Sequence, residues 1–151
     1  PGHPNCIAPG KRPRITLTPT LVLKDGKPVM AISVAGGDLQ DQVTLNLLLN
    51  AIDYGMAPDA AVTAPRFATA HHQDSFDPDP DRQKTFKEAG SLRLNDRVSE
   101  ATREELVRRG HSVHVASGPI GHPVMLAINP ETGLFHAAGD PAAGRHAAGL
   151  E

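Results

Sequence analysis

The sequence predicts an α+β fold built on antiparallel strands, and three observations carry that expectation. Two apolar runs, Leu17 to Leu23 and Val29 to Val34, flank the turn segment Lys24-Asp-Gly-Lys-Pro28. A second pair, Val124 to Ile128 and Leu134 to Ala138, flanks Asn129-Pro-Glu-Thr-Gly133. Asp-Gly between two such runs is a strong hairpin signal. Between the two pairs the periodicity changes to helical, most clearly from Asp38 to Tyr54, and hairpins separated by helices point to segregated strand and helix layers.

Residues 1–14 are rich in Pro and Gly and read as an extended segment ahead of the first strand. Pro28 has no N–H, so it belongs at the start of its strand or at a position without a ladder bond. In the 38–54 run, Gln42, Asn46, Asn50 and Asp53 fall on one narrow stripe, and Leu45, Leu47, Leu48, Leu49, Ala51 and Ile52 occupy the rest. So wide an apolar surface predicts a mostly buried helix, with Asp38 as N-cap and Gly55 as its stop. A short helix over Pro58 to Thr63 ends at Pro65, and Arg66 to Ala70 reads as a strand. Residues 71–90 hold few apolar side chains and read as a surface loop. Ser91 to Asn95 is a further strand; Ser99 caps a helix to about Arg109 that Gly110 closes. On that helix Glu104 with Arg108 and Glu105 with Arg109 have the favourable i, i+4 order. His111 to Val115 alternates as an edge-like strand whose two histidines face solvent.

With 151 residues the chain is one domain or one piece of a domain. Its 15 basic and 17 acidic residues give a formal charge of -2, which predicts neither nucleic-acid binding nor attraction to an anionic membrane. Four Phe, one Tyr and no Trp leave little on which bases could stack. Fourteen Gly and 14 Pro fit many short strands and turns better than a helical bundle. The lone Cys6 excludes an intrachain disulfide. No apolar run is long enough to cross a membrane as a helix. His71-His72 with Asp74, Asp77, Asp79 and Asp81 has metal-ligating chemistry. Adjacent histidines of a strand point to opposite faces, however, and the Asp spacing lacks the Gly and Glu of a calcium loop, so the expectation is no metal.

The candidate chemistry lies at Gly36-Gly37, between the first hairpin and the long helix. A strand that ends in Gly-Gly against a helix start presents free backbone N–H groups, which is what a developing oxyanion requires. Around this pair stand Pro9-Gly-Lys-Arg-Pro-Arg-Ile-Thr-Leu-Thr-Pro-Thr20, Asn50-Ala-Ile-Asp-Tyr-Gly-Met56, Ala64-Pro-Arg-Phe67, Ala138-Gly-Asp-Pro141 and Ala147-Ala-Gly149. In this order the set resembles the C-terminal part of the small subunit of γ-glutamyltransferases (γ-glutamyltranspeptidases), members of the N-terminal nucleophile hydrolase superfamily.

The resemblance implies part of an αββα sandwich and an enzyme that cuts its own precursor, exposing an N-terminal Thr that attacks a γ-glutamyl amide such as that of glutathione. It implies Gly36 and Gly37 as the oxyanion hole. It further implies the rest of the small subunit and the large subunit as partners, no metal or other cofactor, and a periplasmic or secreted location. This chain begins with Pro1, whose side chain has no hydroxyl. It therefore reads as a fragment, residues 1–151 of the small subunit's C-terminal portion, expected to be catalytically silent alone and to leave sheet edges and apolar faces open. Leu150-Glu151 reads as a cloning remnant. Many members carry Arg-Pro-Leu-Ser-Ser-Met-Ser-Pro-Thr, whose Ser pair grips the substrate's α-carboxylate, where this chain has Arg12-Pro-Arg-Ile-Thr-Leu-Thr-Pro-Thr20. Thr16 replaces the second hydroxyl and Ile15 cannot replace the first, while Arg14 either binds a carboxylate with its planar fork or pairs with a nearby Asp. Two alternatives stay open: a glutaryl or cephalosporin-type acylase of the same fold, and a structural or assembly module without chemistry.

Overall fold

The computed structural model of the chain describes residues 2–86 and 88–149. Pro1 and the pair Leu150-Glu151 lie outside the described residues. In chain order the elements are β1 (Thr20–Lys24), β2 (Lys27–Ala35), α1 (Gln40–Ile52), α2 (Pro58–Thr63), β3 (Phe67–Ala68), α3 (Arg82–Thr85), β4 (Ser91–Asn95), α4 (Glu100–Arg108), β5 (Ser112–Ala116), β6 (His122–Ile128) and β7 (Phe135–Gly139), with 3-10 turns at Gly37–Leu39 and Pro141–Ala143. The fold is α+β, as the two hairpins and the intervening helices predict.

The larger sheet has the order β1-β2-β6-β7, and each neighbouring pair is antiparallel. Asp25 and Gly26 turn the first hairpin with φ of 52° and 75°, the left-handed conformations that a two-residue turn needs to follow the strand twist. Pro28 sits opposite Leu23, where the register shifts after Val22, so its missing N–H falls at an irregularity in the ladder. The first strand starts at Thr20, which leaves Leu17 outside it. Residues 2–14 form no strand, and they are less extended than expected: Cys6 N–H donates to the His3 carbonyl at 2.9 Å and closes a turn.

One face of this sheet carries the core. Ile32 and Val34 of β2 and Met125 of β6 pack with Val43 and Leu47 of α1, Ala61 and Val62 of α2, Ala68 and Ile120. On the opposite face Leu21, Ala31, Leu126 and Ala137 stand in register across all four strands. Leu21 is 63% exposed, and Phe135, two residues from Ala137 on β7, is 68% exposed. This face of the sheet is apolar and open.

The smaller sheet, β3-β4-β5, departs from an all-antiparallel expectation. β3 is antiparallel to β4, but β4 and β5 run parallel, because α4 crosses between them and returns the chain to the same end of the sheet. The strand expected over Arg66 to Ala70 shortens to Phe67–Ala68.

The long helix also differs from its pattern. It begins at Gln40 after the 3-10 turn, and Asp38 does not cap it, because the Asp38 carboxylate is drawn to Ser75 instead. The helix is only half buried: Leu45 and Ile52 are 55% and 59% exposed. Beside Val43 and Leu47, part of its polar stripe also faces neighbouring elements. Gln42 accepts from Thr69 N–H at 2.7 Å and donates to the Thr69 carbonyl at 3.0 Å, and Asn50 donates to the Ala61 carbonyl at 3.3 Å. On α4, Ser99 caps as expected, accepting from Thr102 N–H at 3.2 Å. Glu105 rather than Glu104 takes Arg108 as well as Arg109, because the i+3 neighbour lies within reach of the same carboxylate.

Candidate active site

At the end of β2 the ladder stops with Ala35 opposite His122. Gly36 and Gly37 then turn the chain into the helix layer with φ of 157° and 57°. These are backbone conformations that glycine adopts at little cost, and Leu39 N–H closes the turn on the Gly36 carbonyl at 3.1 Å. Among the described residues the N–H groups of Gly36 and Gly37 have no acceptor. The turn is held from behind by close packing. Gly121 stands against α1 so tightly that a Cβ there would lie 2.8 Å from Val43 Cγ2, and the position of a Cβ on Gly36 is 3.6 Å from Gly121 Cα. The core helix thereby fixes where the two glycines sit.

A cleft of about 230 Å³ opens at this turn. Arg14, Thr16, Gly37, Asp38 and His72 are among its walls, so three of the four sequence-predicted site residues share one concavity. Gly36, next in the chain, does not line it. The Arg14 guanidinium makes a long ion pair with Asp38, 3.9 Å from Nη2 to Oδ1, the nearby Asp that the sequence reading allowed for, and its side chain is 53% exposed. Among the described residues the Thr16 hydroxyl makes no hydrogen bond, whereas Thr18 two residues on donates to Gln40 Oε1 at 3.3 Å.

Sequence reasoning missed the contribution of the 71–90 segment, expected to be a surface loop. Ser75 is buried, its N–H donates to Asp38 Oδ2 at 2.8 Å, and its hydroxyl donates to Asp38 Oδ1. Phe76, which follows, lies over Gly37: a Cβ on Gly37 would be 2.8 Å from Phe76 Cε2. Asp38 and Ser75 are 37 residues apart, and no local pattern could have joined them. His72, read as one half of a rejected metal pair, is a wall of the cleft and holds its Nδ1 3.2 Å from the Gln73 carbonyl.

Two of the quoted motifs meet away from the cleft. Arg66 of Ala64-Pro-Arg-Phe67, only 4% exposed, donates from Nη2 to Asp140 of Ala138-Gly-Asp-Pro141 at 2.5 Å. It also donates from Nε to the Ile120 carbonyl at 2.9 Å and from Nη1 to the Val62 carbonyl. Asp140 accepts in turn from Ala142 N–H at 3.0 Å. This buried, fully engaged pair straps α2, the 118–121 segment and the end of β7 together, and its charges satisfy each other rather than a substrate.

Comparison with known proteins bears on this arrangement. The family profile described as Gamma-glutamyltranspeptidase matches residues 1–150. A glutathione hydrolase proenzyme of Pseudomonas sp. (strain A14) is 42% identical over 148 residues, covering 93% of this chain and 23% of that protein. The γ-glutamyltranspeptidase T380A mutant of Helicobacter pylori superposes with a TM-score of 0.71 at 26% identity, over 94% of this chain and 69% of that one. A cephalosporin acylase from Bacillus halodurans superposes with a TM-score of 0.73 at 27% identity, over 94% of this chain and 24% of that one. The chain thus spans about a quarter of the length of the curated relative it matches.

Proposed function

The chain belongs to the gamma-glutamyltranspeptidase family, and from that premise we propose that it is the C-terminal portion of the small subunit of an acyl-transfer enzyme acting on γ-glutamyl amides. The observation that carries the reading is the Gly36-Gly37 turn, with its N–H groups free and the cleft of Arg14 and Thr16 beside it. In the complete enzyme the nucleophilic Thr that the family resemblance implies attacks the amide carbonyl. Negative charge then develops on the carbonyl oxygen, and the Gly36 and Gly37 N–H groups receive it. Donors held in place before the reaction need no reorganisation as the charge appears, and losing one such donor typically costs about 3–4 kcal/mol of transition-state stabilisation. Thr16 and Arg14 hold the carboxylate at the far end of the acyl group. The acyl-enzyme then passes its acyl group to water or to an amine, and the remaining parts of the precursor supply the groups this chain lacks.

A second reading keeps the mechanism and changes the acyl group. Ile15, 63% exposed at the cleft, stands where the resembling pattern has the first Ser of the pair, so one hydroxyl contact is replaced by an apolar surface. That substitution, together with the likeness to a cephalosporin acylase, favours a glutaryl-type acyl group that has no α-amine beside its carboxylate. Turnover of γ-glutamyl and glutaryl anilides by the complete protein separates the two readings. If Arg14→Ala leaves affinity and turnover unchanged for both anilides, the role given to Arg14 is wrong. If neither is cleaved by a preparation containing the whole precursor, the acyl-transfer reading itself fails.

A further inference from the structure

We propose that a cavity on the small sheet, behind His72, binds a small oxyanion, a phosphate or a carboxylate, through Arg93, His114 and a hydroxyl of the Thr69–Ser91 pair, and that His72 passes its occupancy on to the cleft at Gly37. The binding stands by itself, and only its effect on turnover rests on the acyl-transfer reading. The cavity, of about 280 Å³, has Leu39, Thr69, His72, Ser91, Arg93 and His114 among its walls. In the parallel β4–β5 pair Arg93 stands beside His114, and β3 sets Ala68 opposite Arg93, so the guanidinium and the imidazole belong to one face of the sheet. Arg14, Thr16 and Gly37 wall the other cleft and not this cavity, whereas His72 walls both. Leu39 brings the cavity close to the glycine turn as well: a Cβ on Gly36 would lie 3.6 Å from Leu39 Cβ.

Counting protons on the walls gives the ligand's chemistry. Thr69 Oγ1 accepts from His71 N–H at 3.1 Å, Ser91 Oγ accepts from Ala70 N–H at 3.1 Å, and the two hydroxyl oxygens stand 3.3 Å apart. Each hydroxyl has one proton to donate, and the bond between them uses one of the two. The second proton has no acceptor among the described residues, although Ser91 is only 5% exposed. Whichever hydroxyl keeps that proton lines the cavity, so an acceptor placed there completes the network. Charge points the same way. Arg93 has no ion-pair or hydrogen-bond partner among the described residues, and its planar fork suits a carboxylate or a phosphate. His114 holds Nε2 3.3 Å from Ser112 Oγ and has Nδ1 to spare, while His72 donates from Nδ1 to the Gln73 carbonyl at 3.2 Å and has Nε2 to spare. Among the described residues Glu88 is the only carboxylate on the wall, and it forms no ion pair. An oxyanion accepts from the guanidinium and the spare hydroxyl together, whereas a cation would be repelled by the first.

The test titrates the complete parent enzyme, carrying isotope-labelled histidine, with inorganic phosphate and separately with acetate, against sodium chloride at matched ionic strength. The ring signals of His72 and His114 in nuclear magnetic resonance, assigned from His72→Gln and His114→Gln, are expected to move saturably with the oxyanion and not with chloride. Arg93→Gln should weaken this binding about tenfold or more, the scale of a hydrogen bond to a charged group, while Arg14→Ala at the other cleft should leave it unchanged. Tighter binding of phosphate assigns a phosphate-bearing ligand, and tighter binding of acetate a carboxylate. No saturable movement with either probe, or movement that survives Arg93→Gln, overturns the site. A His72 signal that stays still while that of His114 moves overturns the link to the cleft. Where an anilide is turned over, phosphate should change kcat in the wild type and lose that effect in Arg93→Gln. Competition with substrate that Arg14→Ala abolishes would place the anion at Arg14 instead and overturn the link. If no anilide is cleaved, the acyl-transfer reading falls on its own and the histidine signals still decide the site.

Discussion

Replacing Gly37 by alanine puts a methyl group into the ring of Phe76 and an L side chain at φ 57°. The exposed ring can swing aside, so the conformational term dominates, at about 1 kcal/mol of stability. The larger effect falls on activity, because any shift of the turn misaims its N–H groups. Gly37→Ala is expected to lower kcat of the complete enzyme about 100-fold or more with little change in KM, and a loss confined to KM would remove Gly37 from the oxyanion role. Asp38 presents a different case. Its carboxylate binds both the N–H and the hydroxyl of Ser75, so Asp38→Ala frees the loop wall, whereas Ser75→Ala removes one of two bonds. Amide exchange across residues 74–77 should quicken strongly in the first variant and modestly in the second; equal exchange in both would contradict the clamp. Glu105 gives a pH-dependent contribution at the surface. Arg109 first, then Arg108, holds its carboxyl below the ordinary range. A lowered folded-state value means that the stabilising effect on α4 is present above the unfolded value and fades as pH falls through the folded one. Helix signal by circular dichroism should weaken in acid less in Glu105→Gln than in the wild type.

At the scale of elements, the Arg66–Asp140 strap is the most demanding test of the fold. Removing one partner leaves the other charged and buried, so Arg66→Ala or Asp140→Ala should cost about 3–5 kcal/mol, measurable as a fall in thermal midpoint. Replacing both by apolar residues of similar volume should recover much of that loss. On α1 the contrast lies two residues apart. Leu47, fully buried, should cost about 2–5 kcal/mol as Ala, while Leu45→Gln at a 55% exposed site should change the chain's stability by about 0.5 kcal/mol or less. The sequence could not separate these two leucines. Hydropathy treats them alike, and which one is inward depends on where Gln42 and Asn50 find backbone partners just after β3 and on α2. Signals that act over a few residues were legible: the Asp-Gly turn, the Ser99 cap, the Pro58 start of α2 and the Gly-Gly turn at the head of the cleft. Signals that need the tertiary fold were not, such as the Asp38–Ser75 clamp, the parallel β4–β5 pair made by the α4 crossover, and the meeting of Arg66 with Asp140.

For the molecule as a whole, α1 and α2 cover one face of the four-stranded sheet and leave the other bare. In the proposed assembly the bare face is where the remaining strands of the precursor stack, at the roughly 10 Å spacing of two packed sheets. Leu21→Lys should therefore impair recovery of the complete enzyme while leaving this chain's own core intact, as read by co-purification and by the thermal midpoint of each. A Leu21→Lys enzyme that assembles normally would mean that this face is not a buried layer. The same row of Leu21, Ala31, Leu126 and Ala137 also decides how the chain behaves in a tube by itself. Contacts between bare faces of two copies involve almost no charge, so raising the ionic strength cannot screen them apart. Excluded salts such as ammonium sulfate should drive the isolated chain out of solution early, and a mild non-ionic detergent should keep it dispersed where sodium chloride does not.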